Sequence, residues 1–514
     1  MIPLLVALPL LFAFVGLLST FFSYDERLKR ALFLVGIFSP WPIFLINMGD
    51  YPVTTVIGGW TRVSGIELGI DSISHFLILV ELIVFSLVGV YSIIYFDKNQ
   101  DYDLIPGLSI LPLILFLYSG ILGCFLTRDL FNFFVYMEIA SISSIILVAC
   151  SNEKGAKVAS FRYLILFFIT SFFFLFSIGI IYVKTGTLNF YLIKENLVMS
   201  TEIKVAITIA FVSFITKAGI FPLHFWLPEA HAKADTPVSA LLSGLTVKVP
   251  IFGMILFLEY TSIEFLTTPL MVVAFSTILF GIVMAIMQTN VKKLLAYSTV
   301  SQMGFILLAI STLNAAAAVN YAFAHALFKS GLFLSIGILI TRHGTKNIDR
   351  LSCKKDSLLM LSIIVLTLAI GGISPLIGAF GKQGILSGLS GFGVYIFYIG
   401  SIGTLTYFIN LNYSLFSLKS LGKKYPGIES VIPFIIAVLT VAFGLYYYPK
   451  LNLVDILLIG TAFLMFIILK KIKLFEKKLP TYFSKDINSL GGEINLYASV
   501  FIGVNIIFLL YSFY

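Results

Sequence analysis

Apolar runs of about 20 residues, the length needed to cross a bilayer, recur along almost the whole chain, separated by short polar loops. The pattern predicts membrane helices near 2–23, 31–48, 76–96, 106–126, 130–150, 160–183 and 203–227. It continues with 236–260, 266–288, 294–312, 316–341, 358–391, 393–418, 430–449, 454–470 and 494–513, sixteen spans in all. The expected fold is therefore all-α and polytopic, with about 14 core and 2 C-terminal transmembrane helices. The first run, Met1–Phe22, lacks a basic leader and a small-residue cleavage site, so it reads as a spanning helix rather than a signal peptide. Two stretches break the pattern. Residues 49–74 are glycine-rich with β-like patches and predict a hairpin on the outer surface. Residues 472–493 are lysine-rich and mildly amphipathic, suiting an inner-surface helix or linker.

Loop charge sets the expected orientation. Basic residues gather at Arg27/Lys29/Arg30, Lys154/Lys157, Lys292/Lys293 and Arg342/Lys346/Arg350/Lys354/Lys355. Further clusters are Lys419/Lys423/Lys424 and Lys470/Lys471/Lys473/Lys477/Lys478/Lys485. They fall on every second loop, apart from the acidic loop 97–105, and acidic residues weigh little in this rule. A cell-membrane protein with both termini outside is expected.

Composition removes other classes. Of 514 residues 59% are hydrophobic and 11% charged, against roughly a quarter charged in soluble domains. The net charge of +9 resides in the short loops, so it argues for membrane topology and against nucleic acid. Cys124, Cys150 and Cys353 form no CxxC pair, which argues against disulfides, iron–sulfur clusters and structural zinc. No glycine-rich nucleotide loop follows a strand pattern, and no cofactor or metal is expected. Glutamine occurs only at Gln100, Gln288, Gln302 and Gln383, a weak sign of a thermophilic prokaryotic source.

The candidate chemistry is concentrated in 213–246, SFITKAGIFPLHFWLPEAHAKADTPVSALLSGLT. This stretch starts as a spanning helix yet carries Lys217, His224 and His231 at seven-residue spacing, with Pro222 and Pro228. A lysine in hydrocarbon is costly and marks an ion or proton path. Proline frees backbone groups that only protein or a wet cavity can satisfy. A broken helix with an ionisable group at the break is how transporters build midplane ion sites. A second break is expected in 358–391, at GGISPLIGAFGKQG with Pro375 and Lys382, and a third, weaker one in 316–341, with His325 and Lys329. The fourth to eighth helices (106–260) hold the first break and the ninth to thirteenth (266–418) the second. Five helices per unit invert the next, so two inverted repeats are expected, preceded by 1–105 and followed by 430–514.

Each candidate has a bland alternative. Glu138, mid-helix, is a proton-tuning acid or a satisfied structural polar group; burial alone would leave it neutral and a nearby ammonium would hold it charged. Lys217 lies about fourteen residues into its helix, ~21 Å along, too deep for ready snorkelling. Lys248 follows the small-residue run SALLSG and is either a carrier or half of a structural ion pair. His325 and Lys329, four apart, share a helix face and suit a relay, or pack as core residues. Asp129 reads more readily as a helix N-cap than as a carrier. His224 is a relay or a packing residue, and His231 a proton-uptake group or part of a loop at the helix junction. Glu81 is a candidate for facing a neighbouring subunit. His224 and His231 lack further ligands for a metal.

The strings FFVYMEIASISS (133–144), ITKAGIFPLHFWLPEAHAKADTPVSALLSG (215–244), NVKKLLAYSTVSQMGF (290–305), HALFKSGLFLSIG (325–337) and ISPLIGAFGKQGIL (373–386) carry a resemblance. They resemble the antiporter-like membrane subunits of respiratory complex I, Mrp-type cation/proton antiporters and archaeal membrane-bound hydrogenase or sulfur-reductase complexes. The resemblance spans roughly 50–420, is most specific in 215–244, and looks most like the Mrp D subunit and its hydrogenase H-subunit relative. It implies that Glu138 pairs with Lys217, that protons pass Lys248 or His231, then His325 and Lys329, and that Lys382 ends the second half-channel. It also implies partners: other membrane subunits, the lipid bilayer, protons and, as a further candidate, sodium. The chain would then be a translocating subunit of an oxidoreductase or antiporter complex, with no redox or nucleotide site of its own. A free-standing antiporter and a non-conducting scaffold are the rival classes.

Overall fold

The computed structural model describes residues 1–22, 25–49, 51–99, 109–417, 427–476 and 490–513. In chain order the elements are α1 (Leu4–Phe22), α2 (Glu26–Phe38), α3 (Pro40–Ile46), β1 (Val53–Val56), β2 (Glu67–Ile70), α4 (Ser74–Asn99), α5 (Leu111–Leu126) and α6 (Leu130–Ala149). Next come α7 (Ala156–Thr185), α8 (Phe190–Asn196), α9 (Thr201–Lys217), α10 (Trp226–Lys233), α11 (Thr236–Leu241), α12 (Lys248–Tyr260), α13 (Thr267–Ile286), α14 (Val291–Ser311) and α15 (Ala315–His343). The chain ends with α16 (Ser357–Gly371), α17 (Ile377–Ser387), α18 (Phe392–Ser417), α19 (Val431–Tyr447), α20 (Leu453–Lys471) and α21 (Leu490–Phe513). Among the described residues, eleven helical segments are long and apolar enough to cross a membrane, and four shorter helices are apolar as well. The protein is an all-α polytopic membrane protein.

The helices form two compact units: Met1–Ala218 with Lys233–Pro269 and Tyr497–Tyr514, and Gly219–Ala232 with Leu270–Leu496. In the first, α1 packs on α5, α5 on α6, and α7 on both α6 and α9. The expected hairpin is present, with Val53 opposite Ile70 and Val56 opposite Glu67. Its buried Glu67 is held by Arg62 and Asn189, each at 2.8 Å. Arg128, fully buried, bonds Asp71 at 2.7 Å and the carbonyls of Phe125, Leu126 and Thr127, which closes the C-terminal end of α5. Burial would push Asp71 up, but the guanidinium holds its carboxyl below the ordinary range.

In the second unit α15 packs against α14, α16, α17 and α19, and α18 against α20. At the end of α15, Arg342 ties Asp356 (2.7 Å) to Glu429 (3.2 Å). A side chain on Gly444 of α19 would overlap the Pro375 carbonyl, so α19 lies tight against the second break.

Several expectations need correction. The second span begins at Glu26, not 31, and Pro40 at a helix start divides it into α2 and α3. Its three basic residues Arg27, Lys29 and Arg30 therefore sit in a helix, where Lys29 pairs with Glu26 and Arg30 with Asp97. The segment 203–227 is broken as expected, α9 ending at Lys217 and α10 starting at Trp226, but α10 extends past that range to Lys233. The span 236–260 is interrupted by a π-helical turn at Leu242–Thr246. No break exists in 316–341, because α15 runs unbroken for 29 residues. The expected break in 358–391 is real and separates α16 from α17. The seven-residue α8 is too short to show as an apolar span. The clusters Lys419/Lys423/Lys424 and Lys477/Lys478/Lys485, the loop beyond Asn99 and most of 472–493 lie outside the described residues.

Candidate functional site

Lys217 is the last residue of α9, with its side chain 1% exposed. Its ammonium donates to Glu138 Oε1 at 2.8 Å and to Ser171 Oγ at 2.9 Å, with the Phe167 ring 4.7 Å away. The Ser171 hydroxyl donates in turn to the same carboxylate oxygen at 2.7 Å. Helices α6, α7 and α9 thus meet on one ion pair. The two partners differ in access: Glu138 is 25% exposed and Lys217 is sealed. A change around the carboxylate therefore reaches the lysine only through the pair.

Lys248 starts α12 directly after the π turn, and its ammonium donates to the Ser243 carbonyl at 2.5 Å. A π turn disrupts the regular carbonyl ladder, and the lysine takes up one of the carbonyls.

In the second unit, His325 and Lys329 are both fully buried on α15. Lys329 donates to the Leu295 carbonyl at 2.9 Å and to the Ser298 hydroxyl, both neutral. On the same helix the Tyr321 hydroxyl donates to Gln302, whose amide donates to Thr404 at 3.2 Å. Lys382, on α17, reaches back over the break 372–376 to the Gly371 carbonyl (3.0 Å) and to Ser401 Oγ (3.2 Å). Carbonyls at the end of a half-helix carry partial negative charge and favour a cation. Lys382 uses this by bonding the last residue of α16, whereas Lys217, itself the last residue of α9, turns to Glu138 and Ser171. Each break also begins near a glycine in left-handed backbone, Gly219 (φ 68°) and Gly372 (φ 85°). Gly372→Ala would strain that backbone and drive a methyl into the Lys382 side chain. A loss of about 1–2 kcal/mol is expected, measured as a lowered melting temperature; an unchanged melt would show that the break tolerates a side chain.

The transmembrane family of NADH:quinone oxidoreductases and Mrp antiporters matches residues 127–409. The mnhD2 protein of Staphylococcus aureus (strain MRSA252), named as an antiporter subunit, is 31% identical over 468 residues, covering 86% of this chain and 92% of its own. This chain belongs to that family. It is an antiporter-type membrane subunit. The mnhD2 protein of Staphylococcus aureus (strain JH9) is also 31% identical, over 410 residues covering 76% of this chain and 81% of its own. A chain of the membrane-bound sulfane sulfur reductase, an archaeal respiratory membrane complex, superposes with TM-score 0.79 at 26% identity, covering 92% of this chain and 99% of that one. A chain of the Mrp complex from Dietzia sp. DQ12-45-1b shares the fold, with TM-score 0.78 at 21% identity over 93% of this chain and 99% of that one.

The remaining candidates of this antiporter-type subunit are placed as follows. Asp129 caps α6, accepting from the Asn132 backbone at 2.7 Å. His224 packs among Phe221, Phe225 and Phe280, its ring 4.5 Å from that of Phe280. His231 lies inside α10 rather than in a loop, stacked 4.9 Å from Phe333. Glu81, a candidate for facing a neighbouring subunit, is instead enclosed by its own chain at 0% exposure; α4 turns it into the core beside Tyr118. Among the described residues, no group of His, Cys, Asp and Glu is arranged to hold a metal.

Sequence reasoning missed Ser171, Ser298 and Asp455. The serines lie in apolar runs where a hydroxyl barely changes hydropathy. Asp455 was visible as the one acid in LNLVDILLIG. It also missed that Lys293 pairs with Glu229 at 2.5 Å and that Lys346 bonds the Ala232 carbonyl at 2.8 Å, together anchoring α10.

Proposed function

We propose that this subunit carries protons across the membrane within a multisubunit complex, using buried lysine, histidine and glutamate groups in each unit. The observation that carries this reading is the Glu138–Lys217 pair, closed on the lysine side and open on the carboxylate side. A neighbouring subunit that moves or neutralises charge near Glu138 changes how firmly Lys217 keeps its proton. Lys217 and Lys248 serve the first unit; His325, Lys329 and Lys382 serve the second. Protons fit these groups better than sodium does, since amines and imidazoles bind protons and, once charged, repel metal cations. The likeness to mnhD2 and to chains of respiratory and Mrp complexes supports membrane subunits as partners. Those partners would supply the energy for transport.

The test is proton flux in vesicles holding the purified complex, compared with the purified single chain. Flux from the complex alone is expected. Flux from the single chain would make it a free-standing antiporter, and none from either a scaffold.

Two finer features belong to this reading. The recurrence of a lysine beside a half-helix end and a left-handed glycine, Lys217 with Gly219 and Lys382 with Gly372, supports inverted repeats of five helices. Loop charge supports both termini outside, with the hairpin outside and the 344–356 loop inside. In a cysteine-free background, an impermeant thiol reagent should label Thr61→Cys from outside and Arg350→Cys only after the membrane is opened. Labelling of both from one side would invert half of the assigned topology.

A further inference from the structure

We propose that Asp455, in the first turn of α20, accepts the proton that leaves Lys382 and passes it to water; this rests on the transport reading above. Both side chains line one small crevice of ≈ 40 Å³, together with Ser374, Gln383, Ser401 and Asn452. Both are buried, Asp455 at 9% and Lys382 at 4% exposure. Both tie down the break 372–376, one at its start and the other within it. Lys382 bonds the Gly371 carbonyl before it, while Asp455 accepts from the Ser374 backbone N–H at 2.8 Å and from the Ser374 hydroxyl. Both of these bonds use Oδ2, which leaves Oδ1 to accept another. The bland role for such a residue, capping its helix, is already taken: the Asn452 side chain caps α20, accepting from the Val454 backbone at 3.3 Å. Holding Ser374 does not require an acid either, since an amide oxygen could accept the same two bonds. A buried ionisable acid and a buried lysine lining one crevice suit a proton relay.

The transfer balances simply. An N–H bond of the Lys382 ammonium breaks, and an O–H bond forms on Asp455 through water in the crevice. The carboxylic acid then loses its proton to bulk water. The neutral amine of Lys382 is refilled from the relay within the unit.

The experiment uses the whole purified complex in vesicles, energised as for wild type, with a trapped pH indicator and a parallel melting curve. Asp455→Asn keeps the oxygen that holds Ser374 but cannot carry a proton; flux should fall about 100-fold with the melt unchanged. Asp455→Glu should restore most of the flux. Wild-type flux in Asp455→Asn overturns the proposal. So does equal loss in both variants with a lowered melt, which would make Asp455 only a clamp on the break. Lys382→Arg separates the two levels of the argument. If it pumps normally, the transport reading of this unit falls and Asp455 with it. If it stops while Asp455→Asn pumps, only the assignment of Asp455 falls.

Discussion

Glu138→Ala is expected to abolish proton translocation, by about 100-fold or more, while the complex still assembles. The pair sits where three helices meet, and the lysine donates to Glu138 and Ser171. Removing the carboxylate leaves Lys217 with a hydroxyl and the face of Phe167, which hold it in place but supply no charge. The proton can then no longer be traded between a paired and an unpaired state. Breaking a buried pair costs about 3–5 kcal/mol. Here the lysine left behind is sealed but keeps Ser171 and can release its proton, so the loss should lie at the low end, about 3 kcal/mol. Subunit composition tells lost transport from lost assembly. Glu138→Gln tests charge apart from shape: it keeps an acceptor for Lys217 and should fail nearly as badly. Lys217→Ala should give the same loss from the other side of the pair. Flux in vesicles, with subunit composition checked on the same sample, decides the matter. Normal pumping by Glu138→Ala would make the pair a structural tie.

Much of this site was legible because single charges stand out in hydrocarbon. Lys217, Lys248, Lys329 and Lys382 each interrupt an apolar run, and each is buried. The true breaks were legible where proline joined glycine, at Pro222 with Gly219 and at Pro375 with Gly371 and Gly372. The false break in 316–341 rested on His325 and Lys329 alone. A buried charge does not open a helix if neighbours satisfy it, and Lys329 finds the Leu295 carbonyl and Ser298 on α14 without disturbing α15. Helix limits near the breaks were less legible, because hydropathy runs through Ala218–Phe225 almost unchanged while the backbone does not. The π turn was not legible, since Ser243 and Gly244 in LSGLT read as small residues for close helix packing. Asp455 was passed over because an acid near the start of an apolar run reads as a helix end, and only the fold brings it to the crevice of Lys382.

Lys382→Arg is expected to keep charge and fold yet stop proton transfer. A guanidinium can donate to the Gly371 carbonyl and Ser401 as the ammonium does, so the break should remain tied. It stays charged in proteins, however, and a relay needs a group that can release its proton. A fall of about 100-fold in flux, with an unchanged melt, is the expected result. Lys382→Glu should do better than arginine despite reversing the charge, because a carboxyl can bind and release a proton. It should do worse than lysine, because an ionised carboxylate has no hydrogen to give the Gly371 carbonyl and would face Asp455 across the crevice. The expected order in vesicles is therefore lysine, then glutamate, then arginine, an order that charge or size alone would not produce. A stability role predicts the reverse, with arginine close to wild type and glutamate worst. If Lys382→Arg pumps like wild type, Lys382 only ties the break together and the path leaves the second unit elsewhere. Lys329, sealed among neutral acceptors on α15, is then the next group to test.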